Sequence, residues 1–130
     1  MKHPRWIDRR AFLLLHEETL AEHGGLPGLR DEATLDAALA RPQHVHAYEA
    51  KADVARFAAA YGFGIVRNHP FNDGNKRAGF LAIGLFLALN GYQLKADPVE
   101  AVETITQLAA GELSETKLAA WIRGRAVRAR

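Results

Sequence analysis

A run of nine residues, HPFNDGNKR at positions 69–77, contains a histidine, a carboxylate, an amide, a lysine and an arginine. It comes immediately before the apolar segment 80–89, which is predicted to be a helix of the core. The first N–H groups of a helix have no partner within the helix and lie at the positive end of its dipole. A cluster of polar residues at that point therefore predicts a site for an anion, such as a phosphate group.

The individual side chains suit such a site. His69 has an imidazole, the side chain that proteins use most often as a general base, and it can take a proton from an attacking hydroxyl group. Asp73 can hold a magnesium ion, which binds nucleotide phosphates at the same time. Gly74 lets the backbone approach a phosphate closely, and Arg77 carries a fork of donors that matches phosphate oxygens.

Two further residues of the run predict how the loop is held. Pro70 disfavours helical backbone at the residue before it, so His69 is expected to be extended and to lie outside the preceding helix. Phe71 is expected to anchor the loop in the core.

Structural uses of the same side chains stay open at this point. His69 alone could be a hydrogen-bonded structural histidine, and Asp73 could cap the following helix. Arg77 could pair with a carboxylate, and Lys76 could be a solvated surface residue.

The segments that must position the loop are nearly all predicted to be helical. Helices are expected over 8–23, 31–40, 53–68 and 75–90, with two more that Asp97 and Ser114 cap. The fourth is apolar all round and should be central. We therefore expect an all-α protein, a compact bundle of about six helices in one domain over 1–130.

One stretch resists the helical pattern. Pro42 should end the second helix, and in RPQHVHAYEA (41–50) the residues His44, His46 and Tyr48 alternate with smaller ones, which weakly indicates extended backbone. A small flap or hairpin is expected there, and 92–94 should be a short extended connector. His44 and His46 also form an H-x-H pair, a weak signal for zinc.

Composition limits the function classes. With 48% apolar and 25% charged residues, the chain has the balance of a soluble globular protein. It contains no cysteine and has no secretory leader pattern, which fits the cytoplasm, and its longest apolar stretch is about half of a membrane span. The net charge of +2 depends on four arginines in the last eight residues, expected to be a frayed helix end. Binding to nucleic acid is therefore not expected.

The run 69–77 resembles the signature of the Fic/Doc family, in the version with lysine at the eighth position. The segments GGLPGLRD (24–31), ALARPQ (38–43), FLALNGY (86–92) and AWI (120–122) resemble the death-on-curing (Doc) branch of that family. The resemblance implies that His69 is the general base that activates a hydroxyl group of a target protein. It further implies that Asp73 binds Mg²⁺, and that Asn75 and Arg77 bind phosphates together with the backbone amides of 74–77.

Lys76 indicates which transfer the resemblance implies. Family members with glycine there typically transfer AMP, whereas Doc-like members carry lysine and are associated with an inverted ATP that donates its terminal phosphate. The resemblance therefore implies a toxin that is a protein kinase, uses ATP and Mg²⁺, and acts on elongation factor Tu. An AMP transferase and an inactive Fic-fold binding module are the alternatives. Gly74 is a departure, since the best-known Doc toxin has alanine there.

The resemblance also implies two interaction surfaces. In Fic proteins the region equivalent to the expected flap offers a strand edge to the target; here it comprises Arg41, Pro42, Gln43, His44, Val45 and His46. Some Fic proteins carry an inhibitory helix with a Ser/Thr-x-x-x-Glu motif, and no Ser or Thr of this chain is followed by Glu at that spacing. Inhibition is therefore expected from a separately encoded antitoxin that covers the His69 loop or the flap.

Overall fold

The computed structural model describes residues 1–129. Within this range six helices and two short strands follow one another: α1 (Arg9–His23), α2 (Glu32–Tyr48), α3 (Val54–Asn68), α4 (Asn75–Leu89), β1 (Tyr92–Leu94), α5 (Pro98–Ala109), α6 (Glu115–Arg123) and β2 (Ala126–Arg128). The predicted all-α bundle of about six helices is confirmed. None of the described helices is long and apolar enough to span a membrane.

Local sequence signals set most helix ends. The side chains of Asp31, Asp97 and Ser114 accept hydrogen bonds from backbone N–H groups in the first turns of α2, α5 and α6, as predicted. Gly24 ends α1 with a φ of 80°, which glycine adopts without strain. These caps fix where each helix begins or ends before any tertiary packing is considered.

The most central helix is α3, not α4 as predicted. Ala58, Ala59 and Ala60 are buried in succession, and large buried residues such as Phe57 and Tyr61 lie beside them. Because α3 is rich in alanine and glycine, neighbouring helices can approach it from several sides. By contrast, α4 leaves Phe80 38% exposed, so its apolar residues do not all face the core.

Glycines bring α3 and α4 into close contact. A Cβ atom added at Gly79 would lie 2.3 Å from Cγ2 of Val66, and one added at Gly62 would lie 2.6 Å from Cδ1 of Ile83. Val66 is fully buried and has a stiff β-branched side chain, so it has little room to move. The absence of a side chain at Gly79 therefore sets the position of α4, and with it the position of the loop at its start.

The predicted flap or hairpin near 41–50 is wrong, because α2 continues through Pro42 to Tyr48. Proline removes one helical hydrogen bond, but the buried side of α2 runs straight through it as Leu35, Ala38, Pro42 and Val45, at spacings of three and four. Burial of this continuous apolar stripe outweighs the local effect of proline.

The small sheet lies elsewhere, where β1 pairs antiparallel with β2. The arginine-rich C-terminus is therefore not frayed as far as Ala129, and Arg130 lies outside the described residues. Two of its arginines have specific partners: Arg123 binds both carboxylate oxygens of Asp53, and Arg125 pairs with Glu100. An acidic residue of another element thus holds each of these two arginines to the bundle.

A matched pair of alanine substitutions in α4 tests the close contact. Gly79→Ala should lower the free energy of unfolding by about 1–2 kcal/mol, because overpacking costs about 1–3 kcal/mol and the gain in helix propensity is only about 0.5–1 kcal/mol. Gly84→Ala should instead raise it by about 0.5–1 kcal/mol, since a Cβ atom there meets nothing within 4 Å. Urea denaturation measures both. Equal stability of the two variants would contradict the role of Gly79.

Candidate active site

The first N–H groups of α4 are open. Gly74 occupies the N-cap position with a left-handed φ of 72°, and no side chain caps the helix there. Its carbonyl accepts the first helical hydrogen bond, from Ala78. The N–H groups of residues 75–77 thus precede the helical ladder and point outward at the positive end of the helix dipole, an arrangement that can bind an anion.

Asp73 is exposed beside this helix start. One carboxylate oxygen accepts the N–H of Gly74 (3.0 Å) and the other accepts the N–H of Leu26 (3.2 Å). These two bonds hold the pKa of Asp73 below its usual range, so it is ionised at neutral pH. The structure gives it no hydrogen bond to an N–H within α4, so it does not act as the cap that the alternative reading required.

The donor set fits a magnesium ion that is shared with a ligand. Among the described residues no three His, Cys, Asp or Glu side chains are grouped as metal ligands, so Asp73 would be a single carboxylate ligand. Mg²⁺ commonly binds in this way, through one or two carboxylates together with water and substrate phosphates.

The side chain of Asn75 is bound within the loop. Its Oδ1 accepts the N–H of Phe71 and its Nδ2 donates to the carbonyl of Phe71, both at 3.0 Å. Both polar atoms of the side chain are thus used to close the loop. The backbone N–H of Asn75 and the second N–H of its Nδ2 are not used in these bonds.

Phe71 attaches the loop to the core through a residue that the sequence reasoning missed. Phe71 is buried and its ring stacks on His16 of α1, with 3.7 Å between ring centroids and 25° between planes. The signal was present in the sequence: His16 lies four residues from both Phe12 and Leu20, on the apolar side of α1.

Behind Gly74, His16 and Arg77 leave three buried polar atoms without partners: Nδ1 and Nε2 of His16, and Nε of Arg77. A Cβ atom at Gly74 would lie 3.2 Å from Cε1 of His16 and 3.2 Å from Nη2 of Arg77, which explains why glycine fits there. Burial, and secondarily the positive charge of Arg77, lowers the pKa of His16. The ring is therefore neutral at neutral pH.

His69 is exposed at the end of α3, with φ 52° and ψ 60°. The prediction of an extended backbone is thus wrong: His69 leaves the right-handed helix, as Pro70 requires, but enters the left-handed region. Its N–H still donates to the carbonyl of Ile65 (3.2 Å), so it closes the last turn of α3. A left-handed residue that is not glycine is uncommon and needs support from its surroundings.

Residues 24–31, which we call the strap, supply part of that support. Arg30 and Asp31 both donate their N–H groups to the carbonyl of Pro70 (2.8 and 3.2 Å). Asn72 donates its N–H to Gly28 and its Nδ2 to Pro27 (3.1 and 3.0 Å). The sequence analysis used 24–31 for the family resemblance and did not predict this contact with the loop, although three glycines and one proline are typical of irregular backbone.

The residues of the expected flap lie on α2 and are not brought to the loop by an extended strand. Pro42 and Val45 face the core, while Gln43 and His44 are exposed. Arg41 pairs with Glu115, and His46 packs edge-on against Trp6. A helix uses its own backbone groups, so this segment offers no strand edge to a target.

An apolar groove of about 630 Å³ lies next to the site, between α1, α4 and α5. Lys76 and Arg77 lie at this groove together with the apolar side chains Phe80, Leu81, Val102 and Ile105. Lys76 is exposed. The side of α4 that does not face the core thus adjoins the helix start that can bind an anion.

The buried ring of His16 predicts a pH dependence of stability. Because its folded-state pKa lies below the ordinary 6.5, the unfolded chain binds more protons, and stability should fall as the pH drops through and below about 6.5. His16→Phe keeps the stack on Phe71 without a titrating group. Its free energy of unfolding in urea should therefore fall less than that of the wild type between pH 7.5 and 5.5. Equal losses in the two proteins would contradict this assignment.

Comparison with known proteins identifies the family of the chain. The model of the Fic/DOC family matches residues 6–87, more than half of the chain. The chain is 34% identical over 119 residues to a protein of Escherichia phage P1 named "Protein kinase doc", covering 92% of this chain and 94% of that protein. It is 45% identical over 75 residues to "Toxin Doc" of Mycolicibacterium smegmatis, covering 57% and 58% of the two chains. The chain belongs to the Fic/Doc family.

Proposed function

We propose that this chain is the toxin of a toxin–antitoxin pair and a protein kinase that modifies a translation factor, elongation factor Tu. The observation that carries the proposal is the open start of α4, where free N–H groups, Asp73 and Arg77 converge and His69 lies on the same loop. The relative from phage P1, which is similar over most of its length and is named a protein kinase, supports the same activity.

In this proposal the N–H groups of residues 75–77 and the guanidinium of Arg77 bind the phosphates of ATP. Asp73 would hold Mg²⁺, and the ion would neutralise phosphate charge. His69 takes the proton of a serine or threonine hydroxyl of the target as its oxygen bonds to the γ-phosphorus. The bond from that phosphorus to the bridging oxygen breaks, and ADP leaves. Asn75 contributes its backbone N–H, and its Nδ2 has a second N–H beyond the one that is bound to Phe71.

Lys76 favours a kinase over the alternative AMP transferase. A lysine at this position crowds the space beside the helix start, where a smaller residue would leave room for an anion. Lys76 is one of the residues that line the apolar groove next to the helix start. The alternative transfer breaks the bond between the α- and β-phosphates, so the two activities put different parts of ATP on the target.

A label-transfer assay tests the activity. Purified protein is incubated with Mg²⁺, elongation factor Tu and either γ-labelled or α-labelled ATP. The γ-label should reach the target, and His69→Ala should reduce the rate by about 10²–10⁴-fold. His44→Ala, which removes an exposed histidine of α2, is the matched control and should keep the wild-type rate. Transfer of the α-label would favour the AMP transferase, and transfer of neither label would favour an inactive binding module.

We also propose that the separately encoded antitoxin docks with an apolar segment in the groove between α1, α4 and α5. Phe80 is 38% exposed, and Val102, which lines the same groove, is 67% exposed. This apolar area is unfavourable to leave in water and is available to a partner. An amphipathic helix with acidic residues at one end would fit, because Lys76 and Arg77 lie at the same groove. Such a partner would also cover the phosphate site.

A growth experiment tests this partner. A bacterial host expresses the chain either alone or together with the small gene that lies next to the gene for this chain. Phe80→Asp should keep the growth arrest but lose the rescue by the antitoxin, because it puts a charge on the apolar wall of the groove. Tyr48→Asp, which alters a side chain 88% exposed on α2, should keep both. Full rescue of the Phe80 variant, or no arrest by the wild type, would contradict the proposal.

A further inference from the structure

Arg30 of the strap reaches the end of α3 with its side chain. Its Nε donates to the carbonyl of His69 (2.6 Å) and its Nη2 donates to the carbonyl of Asn68 (2.8 Å). The guanidinium fork therefore binds two successive carbonyls at the residue where the helix changes to left-handed backbone.

This contact meets two needs of that turn. The last carbonyls of a helix have no N–H partner within it, and a cationic donor near the C-terminus of a helix is favourable to its dipole. The left-handed backbone of His69 costs of order 1–3 kcal/mol and persists only where its surroundings fix it. The carbonyl of Asn68 belongs to the peptide before His69 and the carbonyl of His69 to the peptide after it, so the two donors fix both peptide planes that flank its Cα.

Arg30 is itself well placed to do this. Its own N–H and that of Asp31 donate to the carbonyl of Pro70, the residue after His69. Asp31 in turn caps α2 through its side chain. The guanidinium thus extends from backbone that is bound both to the start of α2 and to the loop, so its position relative to His69 is set from two directions.

We propose that Arg30 is a positioning residue for His69, which it holds in the left-handed conformation and whose imidazole it thereby places relative to the start of α4. The inference rests on the proposed role of His69 as general base. Arg30 does not touch the substrate; it acts through the carbonyls of residues 68 and 69. Because these contacts are exposed, they contribute little to global stability, and their loss should be visible mainly in the rate.

The test compares three variants. Arg30→Met removes both donors and keeps a chain of similar length. Arg30→Lys keeps a point charge that can bind one carbonyl but not the planar fork. Arg67→Met is the matched control: Arg67 lies in the last turn of α3, next to Asn68, but its guanidinium donates to the carbonyls of Leu108 and Ala109 at the end of α5.

The kinetic result should separate positioning from a general structural role. Arg30→Met should reduce kcat for transfer of the γ-label by about 10–100-fold with KM for ATP nearly unchanged, because small misplacements of a catalytic group have effects of that size. Arg30→Lys should recover part of the loss, and Arg67→Met should keep the wild-type kcat. A kcat for Arg30→Met within twofold of that of Arg67→Met would overturn the proposal, and so would a loss confined to KM.

A second measurement does not depend on activity. In protein labelled with ¹³C and ¹⁵N at histidine, the chemical shifts and the HN–Hα coupling of His69 report its φ angle. Arg30→Met should move them away from left-handed values while the thermal unfolding midpoint stays close to that of the wild type. Unchanged signals of His69 would overturn the inference even if the enzyme is active. If no transfer occurs with the wild type, the proposed function fails, and the shifts still decide the role of Arg30.

Discussion

The unpaired N–H groups at the start of α4 are the feature around which the site is arranged. Elsewhere in the described chain, the side chain of an Asp or Ser caps the helix start, as Asp53 does for α3. At α4 the N-cap is Gly74, and the nearest carboxylate, Asp73, bonds to Gly74 and Leu26 instead. The start of α4 thus lacks a side-chain cap, which would stabilise the helix by about 1 kcal/mol, and its first N–H groups are left free for an anion.

Keeping this helix start open has further costs, and the packing behind it offsets them. Buried polar atoms without partners, such as those of His16 and Arg77, each destabilise a folded protein by about 1–3 kcal/mol. They lie where α1 meets the loop, beneath Gly74. On the other side, the close approach of α3 and α4 at Gly79 fixes α4 as a rigid element. The site therefore combines a locally unfavourable polar cluster with a tightly packed support, as expected where backbone must be held in one position for binding.

Sequence reasoning succeeded where the determinants are local. Caps such as Asp31 and Ser114 and the stop at Gly24 act within a few residues, so the boundaries they predicted agree with the structure. It failed where a distant partner decides. Pro42 continues α2 because its neighbours along the helix are buried together, and α3 is central because small residues let other helices approach. The left-handed turn at His69 depends on a strap about forty residues away, which no local pattern reveals.

The same distinction applies within the motif itself. A motif records which residue types occur together, but it does not separate those that hold the loop from those that face the ligand. Here the hydrogen bonds make that separation: the side chains of Asn72 and Asn75 are used to close the loop and to bind the strap, while Lys76 makes no such bond. Arg30 lies outside the motif and yet binds its histidine directly. A residue's role at this site therefore depends on which of its donors and acceptors are already bound: Nδ2 of Asn75 uses one N–H on the carbonyl of Phe71, and its second N–H is not used by the loop.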